Sequence, residues 1–115
     1  MELPKRVKVG PFWIEVVYPY RFTERGDLCA QFQSGTQRIL VNDVDQGGNI
    51  HAPAYVWQAF MHEVIEAMEW VYVIGAFPRA QADEVEREGR IDRMAMAWLA
   101  LHKDNPLLLS GDWFS

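Results

Sequence analysis

A histidine and several glutamates lie close together within residues 60–69, a segment that is otherwise apolar. His62 and Glu66 are four residues apart, so on a helix both side chains project from one face in successive turns. That spacing allows both to bind one ion, as in the His-Glu-x-x-His motif of metallopeptidases. Glu66 takes the place of the second histidine, and because carboxylates also bind zinc, the exchange keeps the geometry of a metal site.

Glu63 directly follows the first candidate ligand, in the position of a general base that takes a proton from water. Zinc in such a site polarises the scissile carbonyl and lowers the pKa of bound water towards neutrality. A catalytic zinc needs a third protein ligand. Glu88 in a later helix is the first choice, and the alternatives are three other acids: Glu69, Glu84 and Glu86.

The acids of this segment lack basic neighbours. No Lys or Arg occurs between Arg38 and Arg79, so the usual helical ion pair at i±3 or i±4 is missing. Because an unpaired carboxylate is costly to desolvate, a bound cation is one way to stabilise a half-buried cluster. The alternative is an acidic helix face in water with no metal.

The elements that must position these residues form an α+β pattern. Apolar residues alternate at residues 7–18 and 28–33, and a third short apolar segment lies at 38–42. These segments predict a short antiparallel β-meander of about three strands, with a bend at Gly10. The strand at residues 37–42 is a candidate edge for pairing with an extended peptide. Helical spacing of apolar residues then predicts the motif helix at about 53–74, ended by Gly75, and a second helix at about 82–103, ended by Asn105-Pro106. The tail, residues 107–115, is expected to fold back onto the core.

Composition limits the function classes. The chain has 115 residues and 50% hydrophobic residues, which favours one packed domain spanning 1–115. Its formal net charge of -5 argues against nucleic-acid binding. Cys29 is the only cysteine, so neither an internal disulfide nor a thiolate metal cluster is expected. Because the first residues lack an apolar signal core and no apolar run is long enough to span a bilayer, we expect a cytoplasmic protein without a membrane segment.

The order of these motifs resembles the small phage and prophage proteins of the zincin-like class, related to the ImmA/IrrE-type metallopeptidases. The similarity runs from Val7-Lys8-Val9-Gly10 through Arg38-Ile39-Leu40-Val41 and Phe60–Ala67 to Leu101–Pro106. The resemblance implies a minimal zincin-like fold with two ligands on the motif helix, at His62 and Glu66. It also implies a catalytic glutamate at Glu63 and a third ligand from the second helix, where Glu88 lies.

The leading hypothesis is therefore a zinc-dependent metallopeptidase of phage type that hydrolyses a peptide bond in a protein or peptide substrate in the host cytoplasm. The main alternative is a non-catalytic phage-encoded protein on the same scaffold, which binds or inhibits a host protein and has a degenerate or structural metal site. A structural protein without metal is the third possibility.

Overall fold

The computed structural model describes residues 2–23, 28–72 and 84–108, without the side chains of 84–88 and 90–92. Four strands and two helices follow one another: β1 (Arg6–Val9), β2 (Phe12–Val17), β3 (Ala30–Gln33), β4 (Arg38–Val41), α1 (Pro53–Tyr72) and α2 (Glu84–Asp104). The α+β class predicted from the sequence is confirmed.

The sheet differs from the predicted three-stranded meander in two ways. First, the predicted strand at 7–18 is a hairpin of β1 and β2, since Gly10 adopts a positive φ of 57° and lets the chain reverse within two residues. Second, the strand order is β1-β2-β4-β3, and β2 pairs with β4 in parallel. The sheet is therefore mixed rather than a purely antiparallel meander.

The position of β4 overturns the prediction that residues 37–42 form an edge. β4 pairs with β2 on one side and with β3 on the other, and Ile39, Leu40 and Val41 are almost completely buried. The chain passes from β2 to β3 first and then returns through a tight turn to place β4 between them. Among the described strands, the open edges belong to β1 and β3.

Helix α1 lies against β3, β4 and β1 and supplies one side of the core. Its start at Pro53 agrees with the predicted motif helix, because proline suits the first turn, where no backbone N–H is needed. Its buried side chains repeat at helical spacing: Val56, Trp57, Phe60, Glu63, Val64, Ala67 and Met68. The predicted stop at Gly75 lies outside the described residues.

Helix α2 ends at Asp104, one residue beyond the predicted end, and Asn105 fixes that end to the sheet. The Asn105 side chain accepts a hydrogen bond from the Lys8 N–H at 3.1 Å and donates to the Lys8 and Leu101 carbonyls, each at 2.9 Å. The residues after Leu108, which include most of the predicted tail, lie outside the described part of the chain. In the described ranges, neither helix has the length and apolar character needed to cross a bilayer.

Candidate metal-binding and catalytic site

The buried face of α1 determines where the three candidate residues point. Because Phe60, Val64 and Ala67 face the core, His62 and Glu66 project on the outer side of the helix. Their side chains are 70% and 49% exposed, whereas the side chain of Glu63 is only 9% exposed. Glu63 thus occupies the border between the core and the open edge of the sheet.

The side chains of His62, Glu63 and Glu66 lie close together. His62 Nε2 lies 3.3 Å from Glu66 Oε1 and 3.9 Å from Glu63 Oε2. One ligand atom from each of the three residues lies within 4.8 Å of the other two. When two ligands bind zinc at a tetrahedral angle with bonds of ~2.0–2.2 Å, their donor atoms are ~3.3–3.6 Å apart. The His62 and Glu66 donors therefore fit one zinc ion in both atom type and separation.

A backbone amide of the sheet holds the Glu63 carboxyl group. The Phe32 N–H donates to Glu63 Oε1 at 2.8 Å. The Asn42 N–H donates to the Cys29 carbonyl at 2.7 Å, so the backbone carbonyl of Cys29 points towards β4. Along an antiparallel strand, residues whose N–H points towards the partner strand alternate with residues whose N–H points away from it. The N–H groups of Ala30 and Phe32 therefore point towards the open edge of β3. No local pattern in the sequence predicts this contact, because it joins residues 31 positions apart.

Burial, together with the charge and hydrogen bonding of Glu66, raises the pKa of Glu63 to about 7. The Phe32 N–H and His62 act in the opposite direction, because both favour the carboxylate. No Lys or Arg in the described ranges forms an ion pair with Glu63 or Glu66, which agrees with the charge pattern of the sequence. A carboxyl group with a pKa near neutrality can both accept and return a proton at physiological pH.

A cavity of about 350 Å³ opens beside this cluster between α1 and β3. Its walls are formed by Leu28, Cys29, Ala30, Tyr55, Gln58, Ala59, His62 and Glu63. Burial raises the pKa of the Cys29 thiol, and hydrogen bonding to Tyr55 acts the other way, so the thiol stays protonated. Tyr55 and Gln58 were not predicted as site residues. The sequence offers a signal only for Tyr55, which lies seven residues, or two helical turns, before His62.

The third predicted ligand is not placed. The side chains of Glu88, Glu84 and Glu86 lie outside the described part of the molecule, although all three belong to the first turns of α2. Glu69 is described and exposed, but it is not a member of the cluster of His62, Glu63 and Glu66. The described side chains therefore provide two exposed metal donors, on His62 and Glu66, and one buried carboxyl group, on Glu63.

The chain was compared with protein families, curated proteins and solved structures, and none of the three comparisons gave a match. The function proposed below therefore depends on the geometry of the site.

Proposed function

We propose that this chain is a zinc-dependent hydrolase that cleaves a peptide bond, with Glu63 as its general base. The observation that supports the proposal best is the nearly buried Glu63 carboxyl group, which is held by the Phe32 N–H at 2.8 Å beside two metal donors 3.3 Å apart. An ordinary acidic helix face would expose all its carboxylates to water, where the pKa of each group stays near 4.

His62 and Glu66 would hold the ion, together with one donor from outside the described side chains. Glu88 is the first choice for that donor, and Glu84 and Glu86 are the alternatives. Zinc, when bound, would polarise the carbonyl of the scissile bond and make water a better acid.

Glu63 is suited to move the proton. Its Oε1 is fixed by the Phe32 N–H, while its Oε2 faces His62 at 3.9 Å. A water molecule in the 350 Å³ cavity can reach that second oxygen, since Glu63 lines the cavity wall. The carboxylate would accept a proton from water as the water oxygen adds to the peptide carbonyl, and it would return that proton to the amine nitrogen as the C–N bond breaks.

The open edge of β3 suggests a peptide as the substrate. The N–H of Ala30 faces outward beside the cavity, and an extended peptide can add to such an edge through main-chain hydrogen bonds. Glu63 already binds the next outward N–H of this edge, that of Phe32, so a peptide paired at Ala30 would lie beside Glu63. The sequence predicted an edge-strand substrate site, but it assigned the site to β4, which is paired on both sides.

The same edge also fits the non-catalytic alternative, a protein that binds a host factor through β3 without chemistry. The two functions differ in whether Glu63 must accept and return a proton. Glu63→Gln preserves the size of the side chain and an acceptor for the Phe32 N–H, but it removes the base.

The test compares hydrolysis of a mixture of unstructured peptides by wild type, Glu63→Gln and Glu69→Gln, each supplied with zinc. We expect Glu63→Gln to lose about 10²–10⁴-fold in kcat/KM with zinc still bound, and Glu69→Gln to keep the wild-type rate. Cleavage by Glu63→Gln at the wild-type rate would contradict a base at Glu63. Peptide binding by the wild type without any cleavage would favour the non-catalytic alternative.

A further inference from the structure

A second cavity lies on the opposite flank of α1 from Glu63. It measures about 540 Å³ and is lined by one stripe of the helix: Ala54, Trp57, Gln58, Met61, His62 and Ile65. Apart from Gln58 and His62 the lining is apolar, and we call this stripe the α1 groove. Met61 and Ile65 are only partly buried, so the groove opens to the surface.

The α1 groove and the cavity beside β3 share Gln58 and His62. Successive residues of a helix turn by about 100°, so Glu63 lies on one side of His62 and Met61 lies on the other. His62 thus lies between a polar cavity, which is lined by the proposed base, and the apolar α1 groove. A chain that lies across His62 touches both.

We propose that the α1 groove binds a large apolar side chain of the peptide substrate, next to the bond that is cleaved. This inference rests on the proposed function, because it assumes that the peptide held at the β3 edge continues over His62. The groove has no charged residue in its lining other than His62 when protonated, so a charged side chain there would lose its hydration without gaining a partner.

The size of the groove also limits its occupant. A volume of about 540 Å³ lies within the ~300–1,000 Å³ typical of ligand pockets, which is more than a small side chain fills. Aromatic and long aliphatic side chains bury the most apolar surface against Trp57, Met61 and Ile65. The preferred substrate class is therefore a peptide with Phe, Leu or Met beside the scissile bond.

Binding is tested first without metal, so that hydrolysis plays no part. Protein labelled with ¹³C at the methionine methyl groups is titrated, in the presence of a chelator, with two capped pentapeptides that differ only in a central Phe or Ser. Met61 reports on the α1 groove, while the fully buried Met68 and the exposed Met96 of α2 serve as references. We expect the Phe peptide to shift Met61 alone and the Ser peptide to bind at least about tenfold more weakly.

Two variants make the binding test specific. Ile65→Ser removes apolar surface from the groove, and Leu99→Ser makes the same kind of change at an exposed site on α2. We expect about tenfold weaker binding of the Phe peptide to Ile65→Ser and unchanged binding to Leu99→Ser. An unmoved Met61 signal up to the solubility limit of the Phe peptide would overturn the inference. A Met61 shift that follows protein concentration without peptide would also overturn it, in favour of a second copy of this chain in the groove.

The cleavage products of a peptide mixture then separate the inference from the proposed function. Wild type should cut beside large apolar residues, and Ile65→Ser should lose that preference about tenfold while Leu99→Ser keeps it. Cleavage without any such preference would overturn the inference and leave the hydrolase intact. Binding of the Phe peptide at Met61 without cleavage would support the groove and reject the hydrolase.

Discussion

Glu63 differs from its acidic neighbours on α1 in what surrounds its carboxyl group. Its side chain is nearly buried and bonded to the Phe32 N–H, whereas Glu66 is half exposed beside His62 and Glu69 is exposed outside the cluster. Residue types and spacing identified these positions, but they could not rank their burial. That ranking depends on how the helix meets the sheet.

The raised pKa of Glu63 predicts a pH-dependent stability of the metal-free protein. The protonated carboxyl group is favoured in the fold, so its contribution is complete below the unfolded pKa of ~4.3 and is lost as the pH rises through about 7. We expect Glu63→Gln to have a free energy of unfolding similar to wild type at about pH 4.5, and to become more stable than wild type by up to ~3 kcal/mol above pH 7.

Chemical denaturation in the presence of a chelator measures this difference across the pH range. Glu69→Gln is the matched control, because it makes the same change at an exposed site of the same helix. A difference between Glu63→Gln and wild type that does not change with pH would contradict a raised pKa at Glu63.

The ligand role proposed for Glu66 can be tested by a series of substitutions. Glu66→His creates His-Glu-x-x-His and keeps a donor one turn from His62, so zinc affinity should remain within about tenfold of wild type. Glu66→Ala removes the donor and should weaken zinc binding by at least ~100-fold, since even the loss of a supporting contact costs 10–100-fold. Competition with a chromophoric chelator measures both, and equal affinities of wild type and Glu66→Ala would rule out Glu66 as a ligand.

Helix α1 contacts the sheet within the candidate site and again at Trp70, near the C-terminal end of the helix. Trp70 contacts Phe12 of β2 and Phe32 of β3, with ring centroids 5.3 and 5.7 Å apart. The same β3 residue, Phe32, donates its N–H to Glu63. Packing of the end of α1 thereby helps to position the strand that holds the proposed base.

Gly10 is the point where the β1–β2 turn touches α1. Its φ is +57°, and a Cβ atom at this position would lie 2.7 Å from Val71 Cγ1. Gly10→Ala should therefore lower the free energy of unfolding by about 1–3 kcal/mol, because it adds left-handed strain and a clash. Gly35→Ala is the control, since no atom lies within 4 Å of its Cβ position and its stability should change by less than ~0.5 kcal/mol. Equal stability of the two variants in urea would contradict the contact between the turn and α1.

The sequence predicted the helices better than the sheet, for a physical reason. The period of Phe60, Val64 and Met68 is local, so the start and buried face of α1 follow from the chain itself. The parallel pairing of β2 with β4 depends on a crossover between distant residues, and alternation of apolar residues does not encode it. For the same reason the His62–Glu66 pair was predictable, while the Phe32 contact to Glu63 was not.

At the scale of the whole molecule, charge is distributed unevenly. The chain has a net charge of -5, and the stretch from residue 39 to 78 contains acids but no Lys or Arg. The candidate site lies within that stretch, and His62 and Glu66 are exposed on its surface. Carboxylates without a basic partner raise the local concentration of cations, so the Glu63–Glu66 pair favours a cation at the candidate site.

The most direct test of the zinc site is the metal content of the protein, purified without a polyhistidine tag, incubated with zinc and then exchanged into metal-free buffer. We expect close to one zinc per chain in wild type and loss of that zinc in His62→Ala, because a site built from protein donors retains its ion. Less than about a tenth of an equivalent of zinc, manganese, iron or nickel in the wild-type protein would contradict the metal site and the hydrolase proposed from it.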